Sequence, residues 1–203
     1  VLIFSATDNS QFSKFNDPIM AFFSDLKVRL ATNYLRTGQV IAYPTEAVYG
    51  LGCDPLNEQA VLRLLQLKQR AMNKGLILIA ADFSQLKPFV AYDEQMLARI
   101  LPTWPGAVTW VMPVQTWVPD WLTGSHRSLA VRVTAHPFAS ALCQRFNAAI
   151  ISTSANPSHK PPAKTPLQVR HYFAQQPKIA VSALGEQKKP SAIYDAMTGG
   201  RLR

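Results

Sequence analysis

The stretch from Gln39 to Gly52, QVIAYPTEAVYGLG, limits what this chain can fold into more than any other. Val40, Ile41, Ala42 and Tyr43 form a short apolar run suited to a buried strand. Pro44 has no N–H to give to a ladder, so the strand is expected to end there. Thr45 and Glu46 then stand at its tip, and Gly50 and Gly52 follow within a few residues as turn formers. Strands that stop at a polar tip commonly present chemistry. The residues that would complete such a site lie downstream, in Lys68, Arg70, Arg132, Ser154 and Asn156.

A chain of 203 residues, 48% hydrophobic and 16% charged, supports one sizeable core, so a single domain is expected. No apolar run approaches the roughly 20 residues of a spanning helix, and Val1 to Phe4 is too short for the core of a signal peptide. A cytoplasmic protein that engages no membrane is expected. Cys53 and Cys143 stand far apart, without a C-x-x-C or a histidine at ligand spacing, which indicates neither zinc nor a redox motif. The net charge is +9, and residues 151–203 hold eight basic and two acidic side chains. Such a segment suits anionic partners, either nucleotide phosphates or a nucleic-acid backbone. Lys178, Lys188 and Lys189 sit in turn-like sequence and read as solvated surface.

In chain order, Ser5 to Asp17 is polar and patternless, and Met20 followed by Ala21 is a plausible initiator. Residues 1–19 therefore read as a disordered N-terminal extension, with the folded domain at 20–203. Ser24 and Asp25 can cap a helix on which Leu26, Leu30 and Tyr34 recur until Gly38. Asn57 opens a second helix, whose apolar face runs from Val61 to Leu67 and ends near Lys68. Lys68, Arg70 and Lys74 then crowd the approach to an apolar strand, LILIA, at 76–80. If that strand neighbours the one ending at Pro44, three cations meet the polar tip, and such a cluster calls for an anion.

Asp93 to Leu101 reads as a helix and Val108 to Met112 as a strand, with Trp104 packing the proline-rich loop between them. Ser128 to Val133, SLAVRV, is a buried strand with Arg132 inside it, and a guanidinium there needs either a structural carboxylate or an anionic substrate. His136 and Pro137 open a helix to Phe146. Ala149 to Ser152 is a strand running into TSAN at 153–156. A stiff loop with Pro157, Pro161, Pro162 and Pro166 carries Lys160 and Lys164. Thr165 with Gln168 forms a capping box for a short helix to Phe173, and Ser191 to Ala196 is a final strand.

YPTEAVYGLG at 43–52, K-x-R at 68–70, SLAVRV with T-x-HP at 128–137, and STSAN at 152–156 resemble the YrdC/TsaC family, the threonylcarbamoyl-AMP synthases. The resemblance runs from about Asp25 to Arg203, without the extra C-terminal domain of longer archaeal and eukaryotic relatives. This sequence departs from the family pattern at Ala47, Ala71, Gly75 and His159, the last standing where a glycine is usual.

The resemblance implies a single YrdC-like α/β domain, with a twisted mixed sheet flanked by helices and open at a basic cleft. It also implies that ATP, L-threonine and bicarbonate are joined into threonylcarbamoyl-AMP with release of pyrophosphate. The product serves N6-threonylcarbamoyladenosine formation in tRNAs reading ANN codons, through downstream threonylcarbamoyl transferase proteins. By the same resemblance, Thr45, Arg132 and Ser152 would hold threonine. Lys68, Ser128, Ser154, Asn156 and Arg203 would contact ATP, and Lys68, Arg70, Ser154 and Asn156 form the catalytic set. Magnesium is expected with ATP, without an assigned protein ligand. The absence of G-x-x-x-x-G-K-[ST] and G-x-G-x-x-G means that side chains must grip the phosphates. Two rivals are a non-catalytic module for double-stranded RNA or tRNA, and a carbamoylating relative of the domain used in hydrogenase maturation.

Overall fold

Both faces of the Val40–Tyr43 run are apolar, so its strand needs cover on both sides, and this requirement organises the fold. A computed structural model describes residues 18–174, 176–187 and 189–203, with side chains from residue 25 onward. The expectation of disorder over residues 1–17 lies outside them. The described elements are α1 (Pro18–Arg36), β1 (Ile41–Pro44), β2 (Tyr49–Gly52), α2 (Glu58–Lys68), β3 (Ile77–Ala80), α3 (Glu94–Ile100), β4 (Val108–Pro113), α4 (Asp120–Thr123), β5 (Ser128–Val133), α5 (Pro137–Phe146), β6 (Ile150–Ile151), β7 (Thr153–Ser154), α6 (Pro166–Phe173), β8 (Lys178–Ile179) and β9 (Ala192–Asp195).

Two mixed sheets form where one was expected. One has the order β7-β2-β1-β8 and the other β6-β3-β5-β4-β9. The strands ending at Pro44 and beginning at Ile77 are therefore not neighbours. Alternation along them builds two cores: Ile41, Tyr43, Ile79 and Ile150 join α1 and α5 in one cluster, while Val40, Ala42, Leu78, Ala80 and Ile151 join α2 and the second sheet in the other. The expected strand over 149–152 is shorter than read, because the chain leaves one sheet after Ile151 and enters the other at Thr153, where β7 pairs with β2.

Local signals account for most element ends. Asn57, Asp93 and His136 accept from the backbone N–H groups of Ala60, Met96 and Ala139 as N-caps of α2, α3 and α5. Thr165 caps α6 through Gln168 N, but the Gln168 side chain accepts from Lys164 N at 2.7 Å, one residue earlier than a capping box requires. Trp104 packs its loop as expected, with Nε1 donating to Val108 O at 2.7 Å.

Two readings need correction, and the expected start of the folded domain at residue 20 falls inside helix α1, which begins at Pro18. Its buried face is Val28, Ala31 and Leu35, whereas Leu26 and Leu30 are 36% and 49% exposed. Lys178 lies on β8, its Nζ 5.8 Å from the Tyr34 ring centroid, rather than in a turn.

Strands β1 and β2 pair antiparallel from Ile41↔Gly52 to Pro44↔Tyr49, and just beyond the Gly52 end Ile151 N of the other sheet donates to Cys53 O at 3.1 Å. A Cβ on Gly52 would lie 2.4 Å from Ile151 O and 2.8 Å from Tyr43 Cε1. Because the first of these is backbone, Gly52→Ala is expected to cost about 2 kcal/mol or more, read as a lower urea midpoint at unchanged slope.

Candidate active site

Strand β5 explains why an arginine stands in an apolar sequence. Leu129, Val131 and Val133 enter the core, while Ser128, Ala130 and Arg132 face a cavity of about 610 Å³. The same face contributes Ile77 from β3, Thr109 and Val111 from β4, and Ile193 from β9. The first sheet supplies Gly50 and Ser154, and Ser152 sits at the crossing between the sheets. A volume of this size falls among small-molecule sites. Its charged lining is Arg70, Lys74, Arg132, Lys189 and Arg203 with one acid, Glu46, beside the imidazole of His126, so among the described residues the cavity is basic.

The β1–β2 end holds Thr45, Glu46, Ser152 and Arg132. An added Cβ on Gly50 would sit 3.2 Å from Thr45 Cγ2 and 3.5 Å from Ser152 Oγ, which places these two hydroxyl residues side by side. Thr45 Oγ1 donates to Val48 O at 2.7 Å, closing the turn. Arg132 Nη1 stands 3.0 Å from Glu46 Oε2, so the guanidinium has a carboxylate partner and lines the cavity as well. Burial alone would raise the Glu46 carboxyl, but the Arg132 charge and the Thr134 hydroxyl together hold it below its ordinary value.

Lys68 and Asn156, which the resemblance expects to contact ATP, are not among the residues lining this cavity. The Lys68 ammonium is buried under the TSAN segment, where it donates to Ser154 O and, at 2.9 Å, to Asn156 O. Ser158 returns the contact, its N–H donating to Lys68 O at 2.8 Å and its hydroxyl to Gln69 O at 2.8 Å. Asn156 Nδ2 donates to Lys160 O, holding the proline-rich loop. The end of α2 and the TSAN loop are thus stitched in both directions. Burial, then the charge on Arg70, lower the Lys68 ammonium to about 8. Arg70 remains in the lining, with Nη2 donating to Gly75 O at 2.9 Å.

The structure brings together Thr45, Arg70, Ser128, Arg132, Ser152, Ser154 and Arg203 around one space and sets Lys68 and Asn156 behind its wall. Sequence reasoning assigned no role to Glu46, missed His126, and took Lys189 for solvated surface although it lines the cavity. Glu46 was visible as the acid beside Thr45; His126 carries no local signal, since a long-range approach of Ser125 to Asn73 O at 3.2 Å positions its loop. His159 holds φ 68, the left-handed conformation that the usual glycine would take without strain.

Behind Glu46, His136 is 5% exposed. Its Nδ1 accepts from Ala139 N at 3.4 Å and its Nε2 reaches Ala183 O at 3.1 Å, a pattern that suits the neutral ring with hydrogen on Nε2. Burial lowers its pKa, against the partial opposition of Ala183 O and Glu46. A lowered folded value means that stability is complete above the ordinary 6.5 and falls with pH below it, as the unfolded chain takes up a proton that the folded one refuses. Melting temperature should therefore drop between pH 7.5 and 5.5, and His136→Asn, which keeps a capping side chain, should flatten that drop. An equally steep profile in the variant would place the titrating group elsewhere.

The Sua5_yciO_yrdC family, described as "Telomere recombination", matches residues 33–202. The chain is 51% identical over 189 residues to a threonylcarbamoyl-AMP synthase of Methylococcus capsulatus, covering 91% of this chain and 100% of that one. Its fold superposes on P. abyssi Sua5 complexed with L-threonine with a TM-score of 0.77 at 33% identity, covering 84% of this chain and 51% of that chain. This chain thus spans about half the length of that archaeal protein. E. coli YciO superposes with a TM-score of 0.74 at 26% identity, over 85% of this chain and 84% of that one. The match over residues 33–202, with full coverage of a synthase at 51% identity, shows that the chain belongs to the Sua5/YciO/YrdC family.

Proposed function

We propose that this protein is a threonylcarbamoyl-AMP synthase, joining L-threonine, bicarbonate and ATP with release of pyrophosphate. The observation that carries the reading is a single basic cavity in which Arg132, Thr45 and Ser152 adjoin further cations, Arg70, Lys74, Lys189 and Arg203. Arg132 is the partner for the α-carboxylate of threonine, because a guanidinium keeps its charge when buried and matches a carboxylate fork. Thr45 and Ser152 complete that end. Arg70, Ser128, Ser154 and Arg203 face the nucleotide, while Lys68 and Asn156 act on it by shaping the TSAN loop.

The chemistry asks for little covalent help. The neutral amine of threonine and bicarbonate give a carbamate and water. A carbamate oxygen then attacks the α-phosphorus of ATP, the bond to the bridging oxygen breaks, and pyrophosphate leaves with the electron pair. Positioning and neutralisation of developing charge suffice for such a transfer. Among the described residues no group of three His, Cys, Asp or Glu gathers to hold a metal, and Glu46, the acid in the lining, is engaged by Arg132. Magnesium, which we propose as the companion of ATP, would ride on the phosphates, and no step is assigned to it.

The product would feed N6-threonylcarbamoyladenosine formation in tRNA, through transferase proteins that accept an activated carbamoyl group. Lys160, Lys164 and Arg170 are exposed, which favours contact with tRNA or double-stranded RNA as a second property of the same protein. No helix among the described residues is long and apolar enough to cross a membrane, and the cytoplasm is the location we propose.

Pyrophosphate release should require both threonine and bicarbonate; equal release without threonine would sink the assignment. Titration calorimetry should separate the two buried cations. Lys68→Ala is expected to weaken ATP about tenfold and Arg132→Ala to weaken threonine about tenfold, the scale of a charged hydrogen bond. Equal losses of both ligands in both variants would mean a general loosening of the cleft.

A further inference from the structure

Glu46 is held more firmly than an ion pair requires. Its Oε1 accepts from Thr134 Oγ1 at 2.7 Å and from Ala135 N at 3.2 Å, while Oε2 faces Arg132 Nη1 at 3.0 Å. Thr134 is 1% exposed, and its hydroxyl is fixed in turn by His136 N at 3.2 Å. The main chain is pinned as well. Glu46 O accepts from Gln187 N at 3.0 Å, and Thr45 O accepts from Gly185 N at 3.0 Å. The segment after β8 crosses so closely here that a Cβ on Gly185 would lie 2.8 Å from Glu46 Cα. Residues 132–135 thus fix the carboxylate, and residues 185–187 fix the main chain that carries it.

A buried ion pair adds little net stability, since desolvation consumes most of the attraction. Stability therefore gives no reason to anchor this one so completely at a cavity wall. Arg132 offers five donors in a rigid fork; its Nη1 lies 3.0 Å from Glu46 Oε2 as an ion pair without hydrogen-bond alignment, and its Nε is buried without a partner among the described residues. We propose that Glu46 is a positioning residue, locking the Arg132 guanidinium on the cavity face of β5 so that its remaining N–H groups meet the α-carboxylate of the amino-acid substrate. The proposal rests on the reading of Arg132 as the partner of that carboxylate.

Positioning and simple neutralisation predict opposite signs. If Glu46 were only a counter-charge, its removal would leave Arg132 more attractive to a second carboxylate, and threonine would bind more tightly. If Glu46 sets the orientation, removal weakens threonine although the site becomes more positive. In Glu46→Gln the amide cannot accept from Thr134 and Arg132 at once without turning an N–H toward one of these donors, so the lock is lost while the volume is kept.

The test is titration calorimetry of the whole chain with L-threonine and, separately, with ATP, alongside melting temperature. Glu46→Gln should raise the threonine Kd about tenfold, the scale of one misplaced charged hydrogen bond, with ATP affinity nearly unchanged and a lower melting temperature, because the buried Arg132 loses its countercharge. Glu46→Asp keeps the charge but falls a methylene short, and it should weaken threonine as well. Threonine bound equally or more tightly by Glu46→Gln would overturn the proposal. Should that variant fail to fold, Thr134→Val leaves the ion pair and removes its anchor; weaker threonine binding with ATP unchanged supports the lock, and unchanged threonine binding overturns it. Wild-type protein that binds no threonine would overturn the function reading and this inference together. Tight threonine binding by wild type and Glu46→Gln alike would overturn this inference alone.

Discussion

Everything around the cavity depends on the passage of the chain from one sheet to the other at Ile151 and Ser152. Ser152 N donates to Ile77 O at 2.8 Å in the five-stranded sheet, and Ile151 N donates to Cys53 O at 3.1 Å just beyond β2. Two consecutive peptide groups therefore tie the two sheets together, and the space between the sheets becomes the cleft. The crossing is possible because Gly52 presents no side chain where Ile151 O approaches. Thr45 and Arg132 lie on different sheets, and this junction is what sets their separation.

The two buried cations show how one charge type is used in two ways. Arg132 lies on a strand face that opens to the cavity and has the Glu46 carboxylate fixed beside it. Lys68 ends a helix, and its ammonium answers main-chain carbonyls of the TSAN loop rather than the open space. A long flexible stem ending in rotatable ammonium donors suits gathering carbonyls from several directions, whereas a planar fork suits a carboxylate. Swapping the two residue types would serve neither place.

Much of this was legible in the residues, and the limits have physical causes. Pro44, the His136–Pro137 pair and the alternation of SLAVRV mark element ends and faces through local chemistry, and the structure places β1, α5 and β5 where these signals put them. The pairing of strands was not legible, because the LILIA run and the Val40 run are equally apolar on both faces and nothing local names a partner. The buried face of α1 was misread because Leu26, Leu30 and Tyr34 form an i, i+4 series beside the i, i+3, i+7 stripe of Val28, Ala31 and Leu35, and it is the latter that packs against β1 and α5. Lys68 carries the same sequence signature whether it grips phosphate or carbonyl oxygen, since a cation just past a helix end is favoured in either case.

The same reasoning explains why a loop conformation can persist at His159 without the usual glycine. A left-handed histidine costs of the order of 1 kcal/mol, which local anchors can offset. Those anchors are present on both sides: Ser158 is bonded to Lys68 O and Gln69 O, and Asn156 Nδ2 to Lys160 O. The loop is therefore defined by its stitching to the end of α2 rather than by the freedom of one residue. Removing Lys68 would take away the reciprocal half of that stitching, so the tolerance of His159 and the placement of Ser154 in the cavity wall depend on one buried ammonium.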